Sequence, residues 1–253
     1  MTSIEERYAV ERAKWDAHAG DPTKPLRALG PGKDFRSLAD APLMPGMVAF
    51  LGDLRGKRVI EYGCGLGKMT VLLARSGAHV TAFDLSERSL EVARQRAILD
   101  GVPDSVDFHL APGESLPFED ASFDVAFGMA VLHHIEPVAG ARELARVLRP
   151  GGRAAFSEPL GTNPIVRLAR DHVPYPHKHD RGADIPLRYE DVAAWLAPFE
   201  RGDIRGVQIT SMVERMFGFK TAIEPLRYID RELLRRWPGL WPLCRYGVLT
   251  MVR

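Results

Sequence analysis

The chain reads as an α/β protein built on a doubly wound parallel sheet, and three observations predict this. A β-branched run, Val59 and Ile60, ends in an acid, Glu61, and passes at once into glycines on alternate positions, Gly63, Gly65 and Gly67. Lys68 to Ser76 then carries Met69, Val71, Leu72, Leu73 and Ala74 at helical spacing. A second short apolar run, His79 to Asp84, ends in another acid about 20 residues beyond the turn. Strand, glycine turn and helix open such a sheet, with the ligand at the carboxyl ends of the strands.

The glycine turn sets the first constraint on the ligand. Glycine accepts positive φ and has no Cβ, so backbone N–H groups can come close to a bound molecule. A dinucleotide fingerprint, G-x-G-x-x-G, would need a glycine where Lys68 stands, and a phosphate loop would need a hydroxyl residue after Gly67-Lys68, where Met69 stands. Neither phosphate reading fits, and Glu61 would repel a pyrophosphate but favour a cationic ligand.

Composition bounds the rest. At 253 residues and 28.1 kDa with 45% hydrophobic residues, the chain can bury a full core, and a single domain over 1–253 is expected. A net charge of +1 gives no global basic surface for a nucleic acid. The charged N-terminus does not read as a secretory signal, and no apolar stretch reaches the roughly 18 residues of a membrane span. Two cysteines, Cys64 and Cys244, make no disulfide framework. A cytoplasmic location, no membrane partner and no nucleic acid partner are expected, and an oligomer stays open.

Four landmarks carry a resemblance: the turn Glu61-x-Gly63-x-Gly65-x-Gly67, the acid Asp84, the stretch Ala111 to Phe118 with Asp120 to Phe127, and the turn Leu148-Arg149-Pro150-Gly151-Gly152-Arg153. Together, in order over residues 58 to 158, they resemble the class I S-adenosylmethionine-dependent methyltransferases. The resemblance implies a Rossmann-like doubly wound seven-stranded sheet of order 3-2-1-4-5-7-6 with the last strand antiparallel. It implies S-adenosyl-L-methionine as cofactor and S-adenosyl-L-homocysteine as product. In that family the glycine turn wraps the methionine end of the cofactor, which gives roles to Glu61, Gly63, Gly65 and Gly67. Asp84, with Leu85 after it, would hold the ribose hydroxyls; the alternative for Asp84 is a helix cap. Many relatives carry an adenine-binding Asp where this chain has Pro112, so the adenine contact would pass to Gly113 and Glu114.

The elements follow in order. Ser3 to His18 is expected to be a helix, with Tyr8 and Trp15 either lining the pocket or simply packing, and Gly20 to Gly46, rich in proline, a loop. Within that division, residues 1–46 lead into a cofactor-binding half over 47–158, a cap insertion over 159–190 and a C-terminal half of the sheet over 191–253. Further expected elements are a helix over Glu87 to Ala97, strands over Ser105 to Leu110 and Phe123 to Phe127, a helix over Val138 to Leu148 and a strand over Arg153 to Ser157. Helices over Tyr189 to Leu196 and Thr221 to Arg236 flank a strand over Asp203 to Ser211, and Arg245 to Val252 closes the sheet.

Residues past the fourth strand, Met129, Ala130, His133 and His134, fall beside the glycine turn because the switch point of the sheet lies there. Histidine suits the removal of a hydroxyl proton. His133, His134 and, in the cap, His177 are therefore candidate bases, and a structural role is the alternative for each. The cap also holds His172, His179 and Asp180, but no carboxylate set of the metal-dependent kind stands at the strand ends, and no metal is expected. The expected function is methyl transfer from S-adenosylmethionine to a small-molecule metabolite, with oxygen favoured over carbon or nitrogen. The alternatives are a methyltransferase acting on RNA or protein, or a non-catalytic cofactor-binding member. A dehydrogenase is disfavoured by the missing third glycine.

Overall fold

A computed structural model describes residues 4–19, 26–164, 167–168, 185–211 and 224–253. Its strands are β1 (Arg58–Tyr62), β2 (His79–Asp84), β3 (Val106–Leu110), β4 (Phe123–Met129), β5 (Leu148–Pro159), β6 (Arg201–Val207) and β7 (Tyr246–Val252). They join in one sheet of order β3-β2-β1-β4-β5-β7-β6. β7 runs antiparallel to both its neighbours and the other pairings are parallel, as the resemblance implied.

The helices are α1 (Ile4–His18), α2 (Met47–Leu51), α3 (Lys68–Arg75), α4 (Glu87–Leu99), α5 (Pro137–Val147), α6 (Tyr189–Leu196) and α7 (Glu224–Arg236). Both sheet faces are covered, and strand alternation divides the core in two. Ile60, Tyr62, Ala126 and Phe156 face the side of α5 and α6. Val59, Val125 and Phe127 face the side of α3 and α4 with Leu73 and Leu90. Gly140 on α5 makes the first side compact: a Cβ there would stand 2.6 Å from the Trp195 ring of α6.

Several elements differ from the sequence reading: α2 has no counterpart in it, β5 starts at Leu148 and not at Arg153, with a register shift against β4, and two more differences have a local cause. β6 starts at Arg201 and stops at Val207, because Gln208 takes a positive φ of 65° and the next residues turn to the Asp230 carboxylate of α7. Asp230 accepts the backbone N–H and hydroxyl of both Thr210 and Ser211. The proline-rich segment is not loop throughout: a 3₁₀ turn, Phe35–Leu38, is capped by Asp34, and its buried Phe35 meets Phe127 edge-on at 5.1 Å. Most of the expected cap, with His172, His177, His179 and Asp180, lies outside the described residues, as does Ser3, the first residue of the expected N-terminal helix.

Candidate active site

The carboxyl ends of β1, β2 and β4 meet where the strand order reverses, and the loops that leave them build the site. β1 delivers Glu61 between Ala82 and Phe127, on the face of α3. It is 3% exposed, and the Thr70 hydroxyl of α3 donates to its Oε2 at 2.6 Å. Burial pushes its carboxyl up to about 8, with the nearby Asp84 charge adding and the Thr70 bond opposing. Beyond it Gly63, Gly65 and Gly67 all hold positive φ, of 59°, 49° and 74°. A Cβ at Gly63 would meet Val131 at 2.6 Å and one at Gly67 would meet the Ala93 backbone at 2.9 Å, whereas one at Gly65 would meet nothing within 4 Å. The turn is thus packed at both ends and open in its middle.

Asp84 ends β2 facing that open middle. The Gly65 N–H donates to its Oδ2 at 2.9 Å and the Ser86 N–H to its Oδ1 at 3.0 Å. The cap of α4 is Ser86, whose hydroxyl oxygen accepts the Ser89 N–H, so Asp84 braces the turn instead of capping the helix. Burial raises its carboxyl above the ordinary value, against backbone N–H bonds from Ser86, Gly65 and Leu85. Leu85 is half-buried beside it. Cys64, inside the turn, is buried; burial together with Glu61 and Asp84 pushes its thiol far up, which leaves it unreactive.

Helix α1 spans the loops from above, and it does so through polar contacts. Its Asp16 accepts from the Ser86 hydroxyl at 2.6 Å, after β2. Its Arg7 and Tyr8 both donate to Glu114, after β3, the tyrosine at 2.8 Å. Glu11 lies 3.4 Å from His134 Nδ1, after β4, and Trp15 meets the His134 ring edge-on at 5.4 Å. Burial alone would raise the Glu11 carboxyl, but His134, Lys14 and Trp15 together hold it below the ordinary value. Burial and the Glu114 contact push the Tyr8 hydroxyl up to about 12. Glu114 also accepts the Glu136 N–H, so its oxygens serve the helix and the β4 loop. Gly113 is buried under Ile135, where a Cβ would stand 2.4 Å away.

The β4 end carries the histidines. Met129 lines the cavity below the turn, and Ala130, exposed, takes a φ of 52°, rare for a residue with a side chain. That bend leads into a 3₁₀ turn, Leu132–His134. The two imidazole centroids lie 4.0 Å apart with the rings tilted by 41°. His133 Nδ1 is 2.8 Å from Oε2 of Glu158 on β5, and Glu158 Oε1 accepts the N–H groups of Val131 and Leu132 at 2.9 and 3.0 Å. The sequence reading passed over Glu158. Its one signal is an acid at the end of a strand that pairs with β4. Among the described residues no group of three or more His, Cys, Asp or Glu side chains could hold a metal ion.

Comparison with known proteins bears on this site. A methyltransferase-domain family model matches residues 60–156. A ubiquinone biosynthesis O-methyltransferase from Xylella fastidiosa is 34% identical over 224 residues, which cover 82% of each chain. The chain belongs to the S-adenosylmethionine-dependent methyltransferases. A demethylmenaquinone methyltransferase from Clavibacter sepedonicus is 42% identical over 118 residues, and the chain spans under half its length, 46%. A geranyl diphosphate C-methyltransferase from Streptomyces coelicolor A3(2) shares the fold at a TM-score of 0.62, with 97% of each chain covered and 14% identity.

The methyltransferase has a cavity of about 320 Å³ beneath the turn, lined by Glu61, Gly63, Lys68, Phe127 and Met129. The Lys68 ammonium suits the carboxylate of an amino-acid end, the Glu61 carboxyl, protonated in the folded chain, can ionise against its ammonium, and the open middle of the turn near Asp84 suits a ribose. S-adenosylmethionine fits this donor set; when bound it supplies an electrophilic methyl group on a sulfonium. Glu61 gives a pH-dependent prediction. Between its ordinary value of 4.5 and about 8 the folded methyltransferase keeps a proton that the unfolded chain has lost. Stability from this group is therefore complete below the lower value and falls as pH rises through the upper, by up to ~1.4 kcal/mol per pH unit. Thermal melting without ligand should show Glu61→Gln gaining on the wild type from pH 5 to pH 8, and a constant gap would contradict the assignment. Removing residues 1–19 should weaken S-adenosylhomocysteine binding about tenfold by calorimetry; unchanged affinity would show that α1 covers no part of the donor site.

Proposed function

We propose that this methyltransferase transfers the methyl group to a hydroxyl of a small, largely apolar metabolite, with His133 as the general base. The observation that carries the reading is the place of His133: its turn is entered through Val131, which packs against Gly63 of the donor turn, and its side chain is 3% exposed. A base held beside the donor and away from water is what an oxygen acceptor needs, because a neutral hydroxyl is a weak nucleophile until its proton has somewhere to go. An amine or a carbon acceptor could react from position alone. The name of the Xylella relative, an O-methyltransferase matched over most of both chains, supports the same choice.

His134 has a different task in this reading. Glu11 and Trp15 engage its ring, so it ties α1 to the β4 loop. Glu61, Gly63, Gly65, Gly67, Asp84, Leu85, Met129 and Ala130 serve the donor. Gly113 and Glu114 act on it through the loop and through α1. His177, in the acceptor cap, is assigned contact with the acceptor.

The test is a screen of phenols, enols and amines with donor labelled in the methyl group, read by mass spectrometry with fragmentation to place the new methyl. Methylation on oxygen, lost at least about 100-fold in His133→Ala, is the expected result. Methylation on nitrogen or carbon, or full activity in His133→Ala, would overturn the reading.

A further inference from the structure

We infer that Glu158 is a positioning residue for methyl transfer: its carboxylate fixes the tautomer and direction of His133 and balances the charge that the base acquires. The inference rests on the reading of His133 as the base.

The geometry is specific. Glu158 is the penultimate residue of β5, is 0% exposed, and both its oxygens are engaged. Oε1 accepts two backbone N–H groups, from Val131 and Leu132, and these bonds hold the 3₁₀ turn that carries His133. Backbone amides can only donate, so the group meeting them is an acceptor. The remaining oxygen lies 2.8 Å from His133 Nδ1, and with Glu158 ionised, the state assigned here, that nitrogen carries the proton. The basic lone pair of the neutral ring is placed on Nε2. Imidazole in water prefers the opposite tautomer, so the carboxylate sets the reactive form. A carboxylate that orients a histidine in this way recurs wherever a histidine must act as a base.

The charge balance gives the second half of the role. As the acceptor oxygen forms its bond to the methyl carbon, the carbon–sulfur pair goes to sulfur and the acceptor proton goes to Nε2. The positive charge lost at sulfur appears on the imidazole ring. Glu158, buried and 2.8 Å away, faces that new charge without having to reorganise. The Val131 and Leu132 bonds keep the carboxylate in place while it does so.

The test compares Glu158→Gln, His133→Ala and the double variant, using catechol or the hydroxyl acceptor that gains a methyl in the screen above. Glutamine keeps an oxygen for the two backbone N–H groups but turns an NH₂ toward Nδ1, which forces the other tautomer. Glu158→Gln should lower kcat about 100-fold with donor and acceptor KM within about threefold. The loss should shrink as pH rises toward ionisation of the acceptor, and the double variant should be no slower than His133→Ala. A slow His133→Ala beside a fully active Glu158→Gln would overturn the role of Glu158 and leave the base reading standing. An active His133→Ala would instead overturn the base reading, and with it this inference. Should Glu158→Gln fail to fold, ¹⁵N-histidine NMR on the wild-type protein decides. A proton on Nδ1 of neutral His133 supports the inference, and a proton on Nε2 overturns it.

Discussion

Replacing Asp84 with alanine should lower affinity for S-adenosylhomocysteine at least about 100-fold by calorimetry, the largest effect expected of any one side chain here. Two losses combine. The ribose loses a carboxylate acceptor for its hydroxyls, and hydrogen bonds to charged groups are each worth roughly 1.5–3 kcal/mol. The turn loses the brace that Asp84 provides through the Gly65 N–H at 2.9 Å and the Ser86 N–H at 3.0 Å. Asp84→Asn keeps one acceptor oxygen and should fall between the two. Unchanged affinity in the alanine variant would remove Asp84 from the donor site.

The second large effect separates two glycines two residues apart. At Gly67 φ is +74° and an added Cβ would meet the Ala93 backbone at 2.9 Å, an obstacle that cannot rotate away. Left-handed strain of ~1–2 kcal/mol and a similar overpacking cost should make Gly67→Ala about 3 kcal/mol less stable. For a chain of this size that corresponds to a melting temperature about 10 °C lower. At Gly65 φ is +49° and the added Cβ would meet nothing, so Gly65→Ala should fold with a loss of only ~1–2 kcal/mol. Its methyl would stand in the open space at the middle of the turn, and donor binding should be largely lost. Melting and calorimetry on the two variants check this, and equal stability losses with donor binding retained in Gly65→Ala would contradict the account of the turn.

What could be read in the sequence was what lies close together along the chain. Glu61, the three glycines and α3 form one continuous stretch, and Asp84 closes the next strand. β2 and α6 fall on the residues expected, because each is a short apolar run with clear ends. Glu158 escaped because its meaning depends on pairing: Met129 lies opposite Ser157, which brings the next residue of β5 to the turn after β4. No local pattern announces a carboxylate that serves a loop 27 residues earlier. The three-point clasp of α1 was legible only in part. Tyr8 and Trp15 stand out as candidate pocket residues, but Arg7, Glu11 and Asp16 look like an ordinary charged helix until the partners Glu114, His134 and Ser86 are placed beneath them. The hidden Asp230 anchor likewise explains why β6 ends four residues early.

The central claim is that the buried carboxylate of β1, the open glycine turn and Asp84 form a site for a sulfonium donor and not for a phosphate-bearing cofactor. Calorimetric titration of the wild-type protein with S-adenosylhomocysteine, NADH and ATP tests it most directly. One-to-one binding of S-adenosylhomocysteine in the micromolar range, with no heat from the other two, is the predicted result. Binding of NADH or ATP at that affinity, with none for S-adenosylhomocysteine, would contradict it.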